Sequence, residues 1–408
     1  MAIEFELTAQ QQALLEMARS LARDVLRPIS LEADRKKCFP EELLLNLQRF
    51  GVGAGGSTLR GVTGGEEPSE RDPKRPRHTH RTAVVGAEEL AWGDAALPLS
   101  LPGPGLGGPP MQSHGTPAQR ERFFAPFKRE GELHWGAYGL TEPGAGSDVS
   151  GIATTCRRDG DHWVLNGRKC FITNGARADW VVIFATVDRS LGRAGHRAFV
   201  VEKGTPGFSV GRIEDKLGLR ASETAELVLD DCRVPAENLL GGEARYEGSS
   251  EGFLAAMKTF DATRPLVGAM AIGIGRASYE RARDLLKARY VLSRPVPRYG
   301  ALRAKLAEMK ARLDAARMLV WRAAWMADLG LPNAREASMA KAAGGGAAVQ
   351  VCADAIELVG ADGCATEGDD AFLEKWFRDI KVYDIFEGTG HIQRIVIARR
   401  LLPGLRAF

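Results

Sequence analysis

The chain has 408 residues, 44% hydrophobic and 26% charged, a globular composition too long for one ordinary core, so two or three domains are expected. This excludes a mostly disordered, fibrous or disulfide-stapled chain. Lys+Arg 55 against Asp+Glu 52 leaves a formal charge of +3, which argues against a protein that coats nucleic acid or binds membranes through a polybasic surface.

Thr8 to Gln11 has the form of a capping box, in which hydroxyl and amide satisfy each other's backbone donors. Leu14, Ala18, Leu21 and Val25 follow at helical spacing, and Pro28 is expected to stop the run. Leu43 to Phe50 reads as a short helix and Gly51 to Arg81 as a loop rich in Gly, Pro and charge. Val84 to Trp92 is helical, Leu97 to Pro110 is a Pro/Gly-rich connection, and Gln119 to Phe127 is one more helix.

The character changes near Trp135. Short runs rich in β-branched and aromatic residues recur at Ile152–Arg157, Trp163–Gly167, Cys170–Asn174, Trp180–Val187, Ala198–Glu202, Phe208–Ile213 and Ala225–Leu229. Asp159-Gly160 between two of them marks a hairpin. Short strands without long helices between them predict a compact antiparallel barrel or sandwich. From Glu251 the pattern is helical again. Leu302, Leu306, Met309, Leu313, Ala316 and Val320 keep one apolar face, which Gly330 and Pro332 end. Asn333 to Glu336 is a capping signal before a long Ala-rich segment, and a four-helix unit is expected. The fold class is thus α+β and multidomain, divided at 1–134, 135–250 and 251–408.

Six scattered cysteines without a C-x-x-C pair fit a reduced, cytoplasmic chain. Seven histidines show no metal-ligand spacing, so no metal is expected. The start MAIEFELTAQ lacks the basic and apolar regions of a secretory signal, and no run approaches the ~18 apolar residues of a membrane span. Two G-x-G-x-x-G matches, Gly51 to Gly56 and Gly103 to Gly108, lack the strand and helix of a dinucleotide fold and read as loops. Gly248 to Gly252 spells G-x-S-x-G without a preceding strand and reads as a linker. Lys74 to Arg81 reads as a solvated basic loop, with an anionic partner as the minority reading.

Three segments are more specific. Tyr138 to Asp148 (YGLTEPGAGSD) combines glycines that admit a close ligand with hydroxyls that hydrogen-bond it. Asn166 to Gly175 (NGRKCFITNG) and Tyr383 to Arg394 (YDIFEGTGHIQR) follow in order. Together with Phe260–Pro265, Leu306–Met309 and Phe377–Asp379 they resemble the acyl-CoA dehydrogenase family, from the first helix to Leu402. The resemblance implies a helical domain, a central β domain and a C-terminal four-helix domain, with FAD between the last two. It also implies a homotetramer, commonly a pair of dimers.

The family oxidises an acyl-CoA thioester to its trans-2-enoyl form and passes electrons to an electron-transfer flavoprotein. By similarity Glu387 is the base that removes the Cα proton. Some members carry that base at the position of Thr263, and threonine cannot serve. Flavin contacts carry over to Tyr138, Leu140, Thr141, Ser147, Phe171, Thr173, Glu357, Gly360, Thr389 and His391. Substrate contacts carry over to Ser147, Asp261, Arg264 and Gly388. Arg289 matches an arginine that reaches a neighbouring subunit's FAD, but Leu292, Ser293 and Gly300 depart from the family pattern around it. Those departures keep open a structural subunit of a heteromeric dehydrogenase with an impaired FAD site. A relative with another flavin reaction, nitroalkane oxidation or oxygen-using monooxygenation, is the other rival.

Overall fold

The computed structural model describes residues 3, 5–52, 79–246, 251–290, 299–368, 371–402 and 404, with side chains for all of these except 251–262, 289, 290 and 299. Helix α1 (Ala9–Leu21) starts at the expected capping box: Gln11 N donates to Thr8 Oγ1 at 3.2 Å, and Thr8 N donates to Gln11 Oε1 at 3.0 Å. Pro28 does not stop the run. The chain passes through a π-helical turn, Ala22–Leu26, into α2 (Arg27–Lys36), and Pro28 lies in the first turn of α2. A first-turn N–H has no intrahelical acceptor, so its loss there costs little.

After α3 (Glu41–Arg49), helix α4 (Thr79–Gly93) begins earlier than its apolar run suggests. Of the basic segment, Lys74 to His78 lie outside the described residues, and Thr79 to Arg81 open α4. Arg81 is not solvated: it is buried, and its Nε meets the buried carboxylate of Asp328 at 3.0 Å. The Pro/Gly-rich connection is also more ordered than expected. It contains α5 (Leu97–Ser100), a 3-10 turn at Gly105–Gly107 and the start of α6 (Gly108–His114), and α7 (Pro117–Phe124) follows. Gly105 and Gly107 pack against the backbone of residues 136 and 137. The other G-x-G-x-x-G match, Gly51 to Gly56, and the G-x-S-x-G stretch, Gly248 to Gly252, lie mostly outside the described residues.

The strands are β1 (Gly136–Gly139), β2 (Thr155–Asp159), β3 (His162–Thr173), β4 (Trp180–Thr186), β5 (His196–Glu202), β6 (Phe208–Ile213) and β7 (Thr224–Pro235). They form one seven-stranded sheet in the order β1-β4-β2-β3-β7-β6, with β5 also on β4. Asp159 faces His162 across the expected hairpin, with Gly160 at φ 60. The pairing is not wholly antiparallel, because β1 and the first residue of β2 run parallel to β4. Such pairs need a long crossover, which the excursions between these strands provide. Two expected strands, Trp163–Gly167 and Cys170–Asn174, are one: β3 runs through, with irregular register between Leu165 and Gly167 and between Lys169 and Ile172.

The C-terminal helices are α8 (Glu251–Tyr290), α9 (Tyr299–Asp328), α10 (Ala334–Val359), α11 (Ala371–Tyr383) and α12 (Gly390–Leu401). Met309, Leu313, Ala316 and Val320 form the buried stripe of α9. Asn333 precedes α10 as expected but does not cap it through its side chain. Its Nδ2 donates instead to Ala323 O at 3.0 Å. Helix α10, with the turn after it, is long and apolar enough on those two counts to cross a membrane, yet it packs against α8, α9, α11 and α12.

A buried charge network joins the three parts of the chain. Lys375 Nζ on α11 meets Asp379 Oδ2 at 2.6 Å and Asp94 Oδ2 at 3.1 Å, and Ser30 Oγ donates to the same Asp94 oxygen at 2.5 Å. Asp379 Oδ1 accepts from Leu219 N at 2.6 Å, and Arg378 pairs with Asp34 at 2.9 Å. An ammonium shared by two carboxylates compensates burial that a single pair leaves costly.

Candidate active site

The turn from α11 to α12 carries Glu387. Its start is fixed by Tyr383, fully buried, whose hydroxyl donates to Ala95 O at 2.7 Å and whose ring meets Phe386 edge-on at 5.0 Å. Glu387 and Gly388 then both take left-handed backbone, φ 54 and 92. A non-glycine residue held there is strained, and such strain persists only where the surroundings impose it. Gln393 supplies part of that constraint: it is fully buried, and its Nε2 donates to Gly388 O at 3.0 Å and Glu387 O at 3.3 Å. Thr389 caps α12 by accepting from Ile392 N at 3.2 Å.

The Glu387 side chain points to α8. Thr263 Oγ1 donates to Glu387 Oε2 at 2.6 Å, and the buried Arg264 follows it. The two positions where a base is expected therefore face each other, and the threonine serves the glutamate. Burial pushes the Glu387 carboxyl above its ordinary pKa; the Thr263 hydrogen bond and the charges of Arg264 and Lys341 oppose it without cancelling it. Tyr138 on β1 is raised well above the ordinary phenol value, first by its own burial and then by the charge of Glu387.

The other two specific segments meet one another. Cys170 N donates to Thr141 O at 2.9 Å. Beneath that contact, the fully buried Lys169 Nζ donates to Glu142 Oε1 at 2.6 Å and Leu140 O at 3.2 Å. Glu142 also accepts from Ala153 N at 2.5 Å and Thr154 N at 3.0 Å. Burial raises the Glu142 carboxyl, but the Lys169 charge and these hydrogen bonds outweigh it and hold the group below its ordinary value. The charged pair thus pins a turn whose outer side carries Thr141, half-buried, and Ser147, exposed. Beside it on β3, Thr173 is half-buried and Phe171 is 62% exposed at φ 58. An open aromatic face next to two hydroxyls is a donor and stacking set for a flat heteroaromatic ring.

Glu357, Gly360 and His391 lie away from this turn. Glu357 and Gly360 lie at the C-terminal end of α10, roughly 24 Å along the axis from Lys341. His391 is exposed on the first turn of α12. Asp261 and Arg289 lie on α8 with their side chains outside the described residues, as are Leu292 and Ser293 entirely, while Gly300 is exposed at the start of α9. Four contributors were not singled out from sequence: Thr263 as a donor, Gln393, the Lys169–Glu142 pair and Lys341. Lys169, Glu142 and Gln393 stand inside the specific segments, which is the available signal; Lys341 has none.

Three family models cover the chain: the acyl-CoA dehydrogenase N-terminal domain at residues 8–130, the middle domain at 137–232 and the C-terminal domain at 250–402. A short-chain specific acyl-CoA dehydrogenase of Clostridium acetobutylicum is 36% identical over 98% of this chain and 100% of its own length. The butyryl-CoA dehydrogenase structure of Megasphaera elsdenii aligns with a TM-score of 0.83 and 36% identity, covering 98% of this chain and 100% of that one. A chain from a structural study of the electron transferring flavoprotein of Acidaminococcus fermentans and flavin-based electron bifurcation aligns with a TM-score of 0.82 and 34% identity, covering 98% and 100%.

Proposed function

Because the chain belongs to the acyl-CoA dehydrogenase family, we propose that it oxidises a short acyl-CoA thioester to its trans-2-enoyl-CoA. It is an oxidoreductase acting on the CH–CH group, with FAD as cofactor and an electron-transfer flavoprotein as electron acceptor. The observation that carries this reading is a half-buried carboxylate, Glu387, held on a strained turn and hydrogen-bonded by Thr263. The residues present also fit a flavin: Phe171 offers an open aromatic face, and Thr141 and Thr173 offer hydroxyls beside it. When bound, FAD supplies the acceptor for the hydride that leaves Cβ.

The chain's own residues do the rest. Glu387 takes the Cα proton, and the electron pair of that bond becomes the new α,β double bond as the Cβ hydrogen leaves with its pair. Thr263 holds Oε2, which leaves Oε1 for the substrate. Closing the thioester over the carboxylate removes water and strengthens it as a base. Negative charge on the thioester oxygen requires fixed donors, a role the family resemblance gives to the Glu387 N–H and a flavin hydroxyl. Assembly as a homotetramer or dimer, Arg289 reaching a neighbour's FAD, and domain limits at 1–134, 135–250 and 251–408 belong to the same proposal. The short chain follows the names of the relatives.

Anaerobic mixing with butyryl-CoA, longer straight-chain and branched acyl-CoAs tests it. Flavin bleaching that is fastest with the short thioester is expected. A flavin-loaded protein that no thioester bleaches overturns the reading.

A further inference from the structure

Lys341 is a buried cation that the steps above leave idle. It lies on α10 with 0% exposure, and its Nζ has no hydrogen-bond partner among the described residues. An unpaired ammonium in a protein interior is costly. Burial accordingly pulls Lys341 from the ordinary lysine range down to about 8.

The packing nonetheless fixes it in place. Helices α8 and α10 touch backbone to backbone: a Cβ on Gly344 would meet Gly268 Cα at 2.8 Å, and one on Gly268 would meet Ala340 O at 2.8 Å. One turn beyond Lys341, a Cβ on Gly345 would meet Tyr383 O and Asp384 Cα, each at 3.2 Å. This stretch of α10 is therefore pressed against both the helix carrying Thr263 and the turn carrying Glu387. On that turn a second carboxyl oxygen, Asp384 Oδ1, is also buried and has no partner among the described residues.

We propose that Lys341 is a positioning residue whose ammonium serves as the shared counter-charge of Asp384 and Glu387, holding the base-bearing turn in its working form. The proposal rests on Glu387 being the base. The groups around it come from every neighbouring element. Helix α8 presents Thr263 and Arg264, the turn presents Tyr383, Asp384 and Glu387, and β1 presents Tyr138. Helix α12 presents Arg394, whose Nη1 and Asp384 Oδ1 both lie close to Gly390. Charges of α9 that reach α10 are paired elsewhere, Lys305 with Asp354 at 2.9 Å and Arg322 with Glu336 at 3.6 Å.

The sign follows directly. A cation favours the carboxylate, so its removal favours the protonated acid and moves the Glu387 midpoint upward. Lys341 makes no direct ion pair with Glu387, so the shift is set at about half a pH unit, below the one to three units of a cation in contact. On the acid side of the profile that is about a threefold loss of rate.

The test is an isotope-edited infrared titration of the Glu387 carboxyl in flavin-loaded protein without substrate, with Glu387→Gln identifying the band. Lys341→Met and Lys341→Gln are expected to raise the midpoint by about half a unit, and Lys341→Arg to restore it. The acid limb of the kcat/KM profile should move by the same amount. If the Lys341 variants do not fold, the titration of the Lys341 ammonium itself decides the matter: Asp384→Asn and Glu387→Gln should each lower its midpoint below about 8, and a midpoint moved by neither overturns the proposal. A midpoint unmoved in the folded variants overturns the proposal, even where melting temperature or activity changes. An infrared shift in a protein that bleaches with no thioester would support the electrostatic pairing and sink the reaction assigned to it.

Discussion

Replacing Thr263 with valine keeps the side-chain volume and removes the hydroxyl that donates to Glu387 Oε2 at 2.6 Å. A hydrogen bond to an ionised group contributes about 1.5–3 kcal/mol. At 1.36 kcal/mol per pH unit, its loss raises the Glu387 pKa by about one to two units beyond the value that burial already sets. The base works ionised, so the acid limb of the rate profile moves to higher pH by the same amount. In that limb the Thr263→Val enzyme should be about ten- to hundredfold slower, while the rate on the alkaline plateau stays close to the parent's. Stopped-flow bleaching of the flavin across the pH range reads both quantities. An unmoved limb, or a loss of equal size at every pH, would refute the role given to this hydrogen bond.

Three further changes probe other parts of the account. Lys375→Ala leaves Asp94 and Asp379 buried without their shared cation and should cost about 3–5 kcal/mol, read as a lower denaturant midpoint. Phe171→Ala removes an exposed ring, so stability should change by less than about 0.5 kcal/mol while flavin content falls; full flavin occupancy would contradict the site. Gly388→Ala sets a Cβ 2.5 Å from Gln393 Nε2 at φ 92, with a strain of about 1–3 kcal/mol, and should lower kcat with FAD retained. Unchanged turnover there would show that the turn tolerates displacement.

Features encoded in local chemistry were legible in the sequence. The Thr8 capping box and the Asp159-Gly160 hairpin are set by side-chain donors and a positive φ within a few residues, and both stand where expected. Pro28 departs from the sequence expectation because its effect depends on position: inside a helix it breaks a hydrogen bond, but after the π-turn it opens a new helix. β3 looked like two strands because its irregular register interrupts the alternation of the apolar residues. At the site, the segment that carries Glu387 is recognisable in the sequence, whereas the surroundings of that side chain are not. Thr263 is 124 residues away along the chain and meets it only through the packing of α8. Lys169, Lys341 and Arg81 are buried cations, and nothing in a lysine's or arginine's local sequence separates a buried charge from a solvated one.

The central claim is that Glu387 removes the Cα proton. Its most direct measurement is deuterium uptake at Cα of a bound acyl-CoA in D2O, compared between the parent and Glu387→Gln at matched flavin content. The variant keeps the shape and polarity of the side chain but cannot take the proton. Exchange and flavin bleaching should both fall by about 10²–10⁴-fold with FAD and thioester still bound. Exchange at near-parent rate in Glu387→Gln would contradict the assignment and place the base elsewhere.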